Sequence, residues 1–322
     1  MSTFDKKLQH SIELLKKSEG LALRYNKDGF FLAFSGGKDS QALYHVAVLA
    51  GVKFKAHYSL TTLDPPEVVR FIKAEYPDVV IDRPELTFSQ LCVKKKMLPT
   101  RIARFCCAEL KETQGENTVT LTGIRKAESV NRSKRNEMER VSSSEKRRVS
   151  GDYETINDQF TREREVEGVQ CIRGKDKIVV NPIIEWTDKD VWHFLSDVVK
   201  VKHCSLYDEG FHRIGCLFCP MSSIKSINRE IRRYPKYYDM MIRMIHKIRT
   251  GGGMTEFEGL TDEDVFEWWK SKQNTEAWIA NKKYQTKIDF DFSNTAKTTQ
   301  SCKKLSNSPK TKSKILNQNN IN

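Results

Sequence analysis

Apolar and polar positions fall into blocks whose period changes along the chain. Between residues 5 and 19, Leu8, Ile12 and Leu15 recur at helical spacing, and Gly20 reads as the C-cap of that helix. Phe30-Phe-Leu-Ala-Phe34 is an unbroken apolar run bounded by Gly29 and by Ser35-Gly36-Gly37, the pattern of a buried strand. Helical spacing then returns in Ala42, Leu43, Val46, Ala47 and Leu49, closed by Gly51. Residues 53–60 predict a second strand, Pro66 to Tyr76 a helix opened by proline, and residues 79–81, 118–122 and 178–180 three further strands. Strands separated by helices in this way predict an α/β fold, a doubly wound parallel sheet with helices on both faces. Thr187-Asp-Lys-Asp190 is a capping box ahead of Val191, Trp192, Phe194 and Leu195. After Cys219-Pro220 a helical pattern runs to about residue 249, breaks at Gly251-Gly-Gly253 and resumes at Asp262, with Trp268-Trp269 as packing residues. The expected organisation is an N-terminal helix (1–28), a sheet domain (29–222) with a charged insertion at about 126–170, a small helical C-terminal region (223–293) and a disordered tail (294–322).

Composition narrows the class. The 322 residues are 38% hydrophobic and 30% charged, and no run approaches the eighteen or so apolar residues of a membrane helix, so no membrane role is expected. No apolar stretch follows Lys6-Lys7, and the expected location is cytoplasmic. The net charge of +13 reads as segmental: residues 125–150 carry nine Lys/Arg against four Glu, and residues 294–322 carry six Lys and no acid. Those segments are the candidate contacts to a nucleic acid. Residues 126–170 lack sustained periodicity and are expected to be partly helical or disordered.

Two groups of residues carry chemistry. Ser35-Gly36-Gly37-Lys38-Asp39-Ser40 lies between the first strand and its helix, where backbone N–H groups and the helix dipole favour an anion. Glycines allow close backbone approach, Lys38 supplies charge, Ser35 and Ser40 supply hydroxyls, and Asp39 either orients Lys38 or holds a Mg2+. The spacer and Gly-Lys-Ser/Thr ending of a Walker loop are missing. Eight Cys without an export signal point to thiol, metal or cluster chemistry. Cys106-Cys107 and Cys216-x-x-Cys219 supply four thiolates, the number a 4Fe-4S cluster needs; zinc is the alternative, with Cys204, His203 or His212 as further ligands. Arg104, Lys111 and Arg213 are basic neighbours that favour thiolates.

The loop resembles the SGGxDS signature of the PP-loop superfamily, the ATP pyrophosphatases and adenine-nucleotide alpha-hydrolases. Further motifs resemble the phosphoadenosine phosphosulfate (PAPS) reductase family: Gly123-Ile-Arg125 with Glu128-Ser129 and Arg132, Asn181-Pro182 with Trp186-Thr-Asp188-Lys-Asp190-Val-Trp192, and Leu206-Tyr-Asp-Glu-Gly210 through Gly215-Cys216-x-x-Cys219. The resemblance runs from about residue 28 to about 222. It implies that Ser35 to Ser40 hold the phosphates of an adenine nucleotide (ATP, APS or PAPS) and that Arg125 and Arg132 pair with phosphate or sulfate oxygens, as a guanidinium fork suits. The adenylyl-sulfate (APS) type reductases of this family use the same cysteine pair plus CxxC for their cluster. Two departures bear on the reaction. The reductases' Glu-Cys-Gly-Leu/Ile-His thiol context is represented only by Cys302 in Gln300-Ser-Cys-Lys-Lys304, and Leu60-Thr61-Thr62 stands where the family has Asp-Thr-Gly. The favoured expectation is therefore ATP-dependent adenylation and sulfur transfer, with Lys38 and Asp39 as catalytic residues, nucleic acid as a candidate acceptor and a sulfur or electron donor protein as partner. The alternatives are a sulfonucleotide reductase forming sulfite and a non-catalytic nucleotide or nucleic-acid binding module.

Overall fold

The computed structural model describes residues 2–112, 114–141, 149–151 and 177–285. It divides at Glu256 into two units, residues 1–256 and 257–322. In the first, seven strands form one sheet in the order β3-β2-β1-β4-β7-β5-β6. These are β1 (Phe30–Ala33), β2 (Phe54–Ser59), β3 (Val80–Asp82), β4 (Val119–Leu121), β5 (Met138–Val141), β6 (Val149–Gly151) and β7 (Lys177–Val180). Strands β3, β2, β1, β4 and β7 are parallel, in the register Phe30 to Phe54, Phe31 to Thr120 and Val119 to Ile178. The order reverses at β1, whose neighbours are β2 on one side and β4 on the other, so a crevice opens there beyond the strand ends.

Apolar strand runs explain the core. Phe30, Leu32, Leu121, Ile178 and Val180 lose all access to water, and Leu15, Leu43, Ile72 and Phe194 close over them from helices. Helices α1 (Thr3–Tyr25) and α2 (Lys38–Ala50) pack together, as do α4 (Phe88–Lys95) and the later helix Pro235–Thr250. Between them in sequence, α3 (Pro66–Glu75) starts at its proline. Trp186 is fully buried; its indole N–H donates to Ser11 Oγ, which donates to Pro182 O, so α1 is fastened to the turn after β7. Thr187 and Asp190 form the expected capping box at the start of the helix Asp188–His193.

Three sequence expectations change. The first helix does not stop at Gly20 but continues to Tyr25, because Leu21 and Ala22 are buried and their packing outweighs a glycine's weak preference for a helix end. The sheet is not wholly parallel: β5 pairs antiparallel with β7 and β6, so part of the charged insertion is strand. Met138 is fully buried there, Glu139 takes up Arg135, and Asn181, also fully buried, ties this edge to β4 through Thr122 Oγ1 and through the Asn136 carbonyl. Four residues with two charged side chains between Met138 and Val141, inside a charged run, carry no strand periodicity that would stand out in sequence. The helical stretch after Cys219 is two helices, Ile224–Arg233 and Pro235–Thr250, parted at Tyr234-Pro235 where a proline N cannot continue the ladder. Residues 142–148 and 152–176, Cys302 and the 294–322 tail lie outside the described residues.

In the second unit, Asp262–Ser271 buries Val265, Phe266 and Trp269, and Phe257 lies 4.6 Å from the Trp268 ring. Trp268 and Trp269 are packing residues, as the sequence suggests. Lys282 pairs with Asp264 at 3.0 Å. Among the described residues no helix is long and apolar enough to cross a membrane.

Gly20 is exposed with open space around its Cα, so Gly20→Ala should stabilise the protein by about 0.5–1 kcal/mol. A urea midpoint that fails to rise would show that the helix does not pass through this residue.

Candidate functional site

The Ser35–Ser40 loop occupies the mouth of the crevice between β1 and β4. Gly36 has a φ of +70°, and a Cβ there would stand 3.0 Å from Val68 and Ile72 of α3, so both conformation and space require glycine. Gly123, just after β4, packs so closely on the start of α2 that a Cβ would meet Asp39 O at 2.9 Å. Within the loop, Ser35 N–H donates to Ser40 Oγ at 3.1 Å, Ser40 Oγ donates to Gly37 O at 2.9 Å, and the two serine hydroxyls stand 3.1 Å apart. The Lys38 N–H donates to the Tyr207 hydroxyl at 2.8 Å. Burial above all raises the Tyr207 pKa, so this hydroxyl keeps its own proton available as a donor beside the loop. Tyr207 was visible in the sequence only as part of the Leu206–Gly210 motif.

Lys38 and Arg125 are brought together with two acids. The side chains of Lys38 and Arg125 are 7% and 3% exposed. Arg125 donates from Nε to Asp39 Oδ1 at 2.7 Å, from Nη1 to Trp186 O at 3.2 Å and from Nη2 to Asp188 Oδ1 at 2.9 Å. Lys38 Nζ lies 3.1 Å from the same Asp188 oxygen and 3.5 Å from Asp39 Oδ2. Both oxygens of Asp39 thus face cations, which favours its role in orienting Lys38 over that of a Mg2+ ligand. Asp188 is held below the usual carboxylate range: burial opposes this, but Lys38 and Arg125 outweigh it. Arg132 is ion-paired to Glu128, and burial, with Arg213 and other arginines nearby, lowers its pKa to about 10. It therefore lies in a field of excess positive charge. Asp188 is a site residue that sequence reasoning passed over; it sits inside the Trp186–Trp192 motif without any signal of its partners.

The four motif cysteines lie within electrostatic reach of one another. Cys106 and Cys107 end a helical turn (Phe105–Cys107), and Cys216 and Cys219 both act electrostatically on Cys106. Cys106 donates to Cys107, which with Arg104 and Lys111 lowers Cys107 to about 6 against burial, while Cys106 is pushed up. Burial disfavours charge on Lys111, yet Cys216, Asp64 and Cys107 outweigh it and raise its pKa. Burial pushes Cys219 up. Thr61 Oγ1 lies 3.4 Å from Cys216 Sγ and 2.9 Å from Asp64, and Leu217 N–H donates to Leu63 O at 2.8 Å, so the CxxC is stitched to the loop after β2. Phe218, inside the CxxC, has a φ of +48°, and its N–H donates to buried Glu230 at 2.7 Å. All four thiols are free and half-buried. Among the described residues no three Cys, His, Asp or Glu side chains already stand in metal-holding geometry. In number, softness and cationic surroundings the four still fit a 4Fe-4S cluster. Cys204 is apart from them, buried, with Glu67, Glu209 and Asp208 as its charged neighbours, and His203 is paired with Asp208. The structure does not bring these two zinc alternatives to the quartet.

A feature missed in the charge count follows Cys219. Residues 223–250 hold eight Lys/Arg against Glu230 and Asp239, hidden in the near-neutral remainder because acids elsewhere offset them. Glu230 is buried, while Lys225, Arg232, Lys236, Arg243 and Lys247 are exposed. On Pro235–Thr250, Lys236, Arg243 and Lys247 span an arc of only about 40° over roughly 16 Å.

The family model described as the phosphoadenosine phosphosulfate reductase domain matches residues 29–222. An uncharacterised protein of Methanocaldococcus jannaschii is 24% identical over 260 residues, covering 77% of this chain and 47% of the relative. The chain spans about half the length of the curated relatives it matches. Among solved structures, the phosphoadenylyl-sulfate reductase of Candida auris, in a phosphate complex, aligns at 15% identity over 68% of this chain and 97% of its own, with a TM-score of 0.38. The U34-tRNA thiolase NcsA of Methanococcus maripaludis, with its 4Fe-4S cluster, aligns at 14% identity over 80% and 82%, with a TM-score of 0.39.

Arg125→Met would leave Asp39 and Asp188 facing only Lys38. Because both acids retain some solvent, the loss should be near the lower end for a broken buried pair, about 3 kcal/mol in chemical denaturation. A loss below about 1 kcal/mol, the range of a surface pair, would mean that Arg125 does not brace the loop.

Proposed function

The chain belongs to the phosphoadenosine phosphosulfate reductase domain family, and on that footing we propose that it is an ATP-dependent sulfur transferase acting on a nucleic acid. The observation that carries this reading is the set of exposed cations on the two helices after Cys219, Lys225 and Arg232 on the first and the stripe of Lys236, Arg243 and Lys247 on the second, which suits the phosphodiester backbone of an acceptor. Free sulfite formation would need no such surface.

In this reading the Ser35–Ser40 loop binds the nucleotide phosphates through its serine hydroxyls and backbone N–H groups. An acceptor oxygen attacks the α-phosphorus, and pyrophosphate leaves with the electron pair of the broken P–O bond. A sulfur donor then displaces AMP from the activated centre. Lys38 is the catalytic cation: held at the base of the loop by Asp39, it neutralises charge on the departing pyrophosphate. Tyr207 donates a hydrogen bond to a phosphate oxygen while accepting one from Lys38 N–H. Arg125 fixes the orientation of Asp39, and Arg132 adds to the positive field.

Cys106, Cys107, Cys216 and Cys219 would hold a 4Fe-4S cluster, which when bound supplies sulfur-carrying or electrostatic chemistry beside the nucleotide. Arg104 and Lys111 offset the thiolate charge. Thr61 and Glu230 hold the CxxC in place.

The test uses full-length, anaerobically purified protein with ATP, Mg2+ and either tRNA or DNA. Pyrophosphate release that depends on one of these acceptors is expected. Neutralising Lys225, Arg232, Lys236, Arg243 and Lys247 to Gln should flatten the log-log salt slope of nucleic-acid binding by about four. Sulfite production from APS or PAPS, with no acceptor-dependent pyrophosphate, would overturn the reading in favour of a reductase.

A further inference from the structure

Two buried cations and one solvent-facing carboxylate meet at a single oxygen atom. Lys38 Nζ at 3.1 Å and Arg125 Nη2 at 2.9 Å both address Asp188 Oδ1. The cations are 7% and 3% exposed, whereas the Asp188 side chain is 64% exposed. Cations so far from water need an anion beside them whether or not a ligand is present. Asp39, at 23% exposure, supplies one on the inner side through its 2.7 Å contact with Arg125 Nε. On the outer side, where the crevice opens, the anion is Asp188.

We propose that Asp188 is a displaceable internal counter-anion, standing in the ligand-free protein where a nucleotide phosphate oxygen binds and leaving when that phosphate arrives. This rests on the reading that the Ser35–Ser40 loop binds nucleotide phosphates. Coulomb's law makes co-occupancy costly, because a phosphate oxygen and the Asp188 carboxylate would be like charges at the same pair of cations. Asp188 is the member of the network that can leave most cheaply, because its carboxylate regains hydration on turning outward. The backbone beneath it stays in place. Thr187 and Asp190 close the capping box on either side, and Asp190 is anchored to Lys7 at 2.7 Å, so only the Asp188 side chain has to swing.

The device selects by charge. A polyphosphate replaces the carboxylate and satisfies both cations, whereas adenosine, which carries no anion, leaves the latch closed. Removing the charge of Asp188 should therefore tighten anion binding, the reverse of what loss of a ligand-binding residue does.

Calorimetry with inorganic pyrophosphate, in the presence of a divalent-metal chelator, tests this on the full-length protein. For Asp188→Asn the Kd for pyrophosphate should fall about tenfold relative to wild type. Adenosine affinity should not move, and Asp188→Glu, which keeps the charge, should retain the wild-type Kd. Thermal melting of both variants establishes that they are folded; should Asp188→Asn not fold, Asp188→Ser takes its place with the same expectation. Unchanged or weaker pyrophosphate binding by the folded neutral variant, with wild type binding normally, overturns the latch alone. Absence of pyrophosphate and ATP binding by wild type overturns the nucleotide reading and the latch with it.

Discussion

Two cations with almost no access to water, Lys38 and Arg125, must be neutralised where they stand, and much of the site is arranged around that requirement. Lys38 comes from the first turn of α2, Arg125 from the segment after β4, Asp39 from α2 and Asp188 from the capped helix after β7. Three separate connections of the sheet are thus tied at one point. Gly123 allows the β4 connection to lie directly on the start of α2, which is what lets Arg125 reach Asp39. The knot sits where the strand order reverses, the place where an α/β sheet leaves its strand ends uncovered.

The thiols depend on the same geometry at one remove. The segment from Tyr207 to Cys216 runs from the loop to the cysteines: Tyr207 meets Lys38 N–H, Ile214 approaches Gly37, and Cys216 meets Thr61. Thr61 and Leu63 follow β2, so both the Ser35–Ser40 loop and the CxxC are referenced to adjacent strands of one sheet. Glu230 then holds the CxxC turn from the helix behind it, stabilising the left-handed backbone of Phe218. The exposed cations begin on that same helix, so Tyr207 beside the loop, the CxxC and the first of these cations follow one another along a continuous stretch of chain.

Much of the architecture was legible in local pattern. Continuous apolar runs marked β1 and β7, because parallel strands are covered on both faces, and Thr187 with Asp190 announced a helix start through reciprocal hydrogen bonds. The β5–β6 hairpin was not legible, since its buried residues are few and lie within a charged run. The exposed cations of the two helices after Cys219 escaped for a different reason: a net-charge count over a long stretch cancels cations on these helices against acids on other elements.

By itself the sequence determined the loop, its glycines, the cysteine motifs and the alternation of the five parallel strands with helices, because each is fixed by interactions among residues close in the chain. Only the tertiary structure decided what those residues face. Which acids neutralise Lys38 and Arg125, that Asp188 is the exposed member of that network, and that Cys106-Cys107 comes within electrostatic reach of Cys216 and Cys219 all depend on the placement of segments distant in sequence. Such contacts follow from the order in which strands assemble into the sheet, and a side chain's charge or thiol gives no indication of its partner until that order is set.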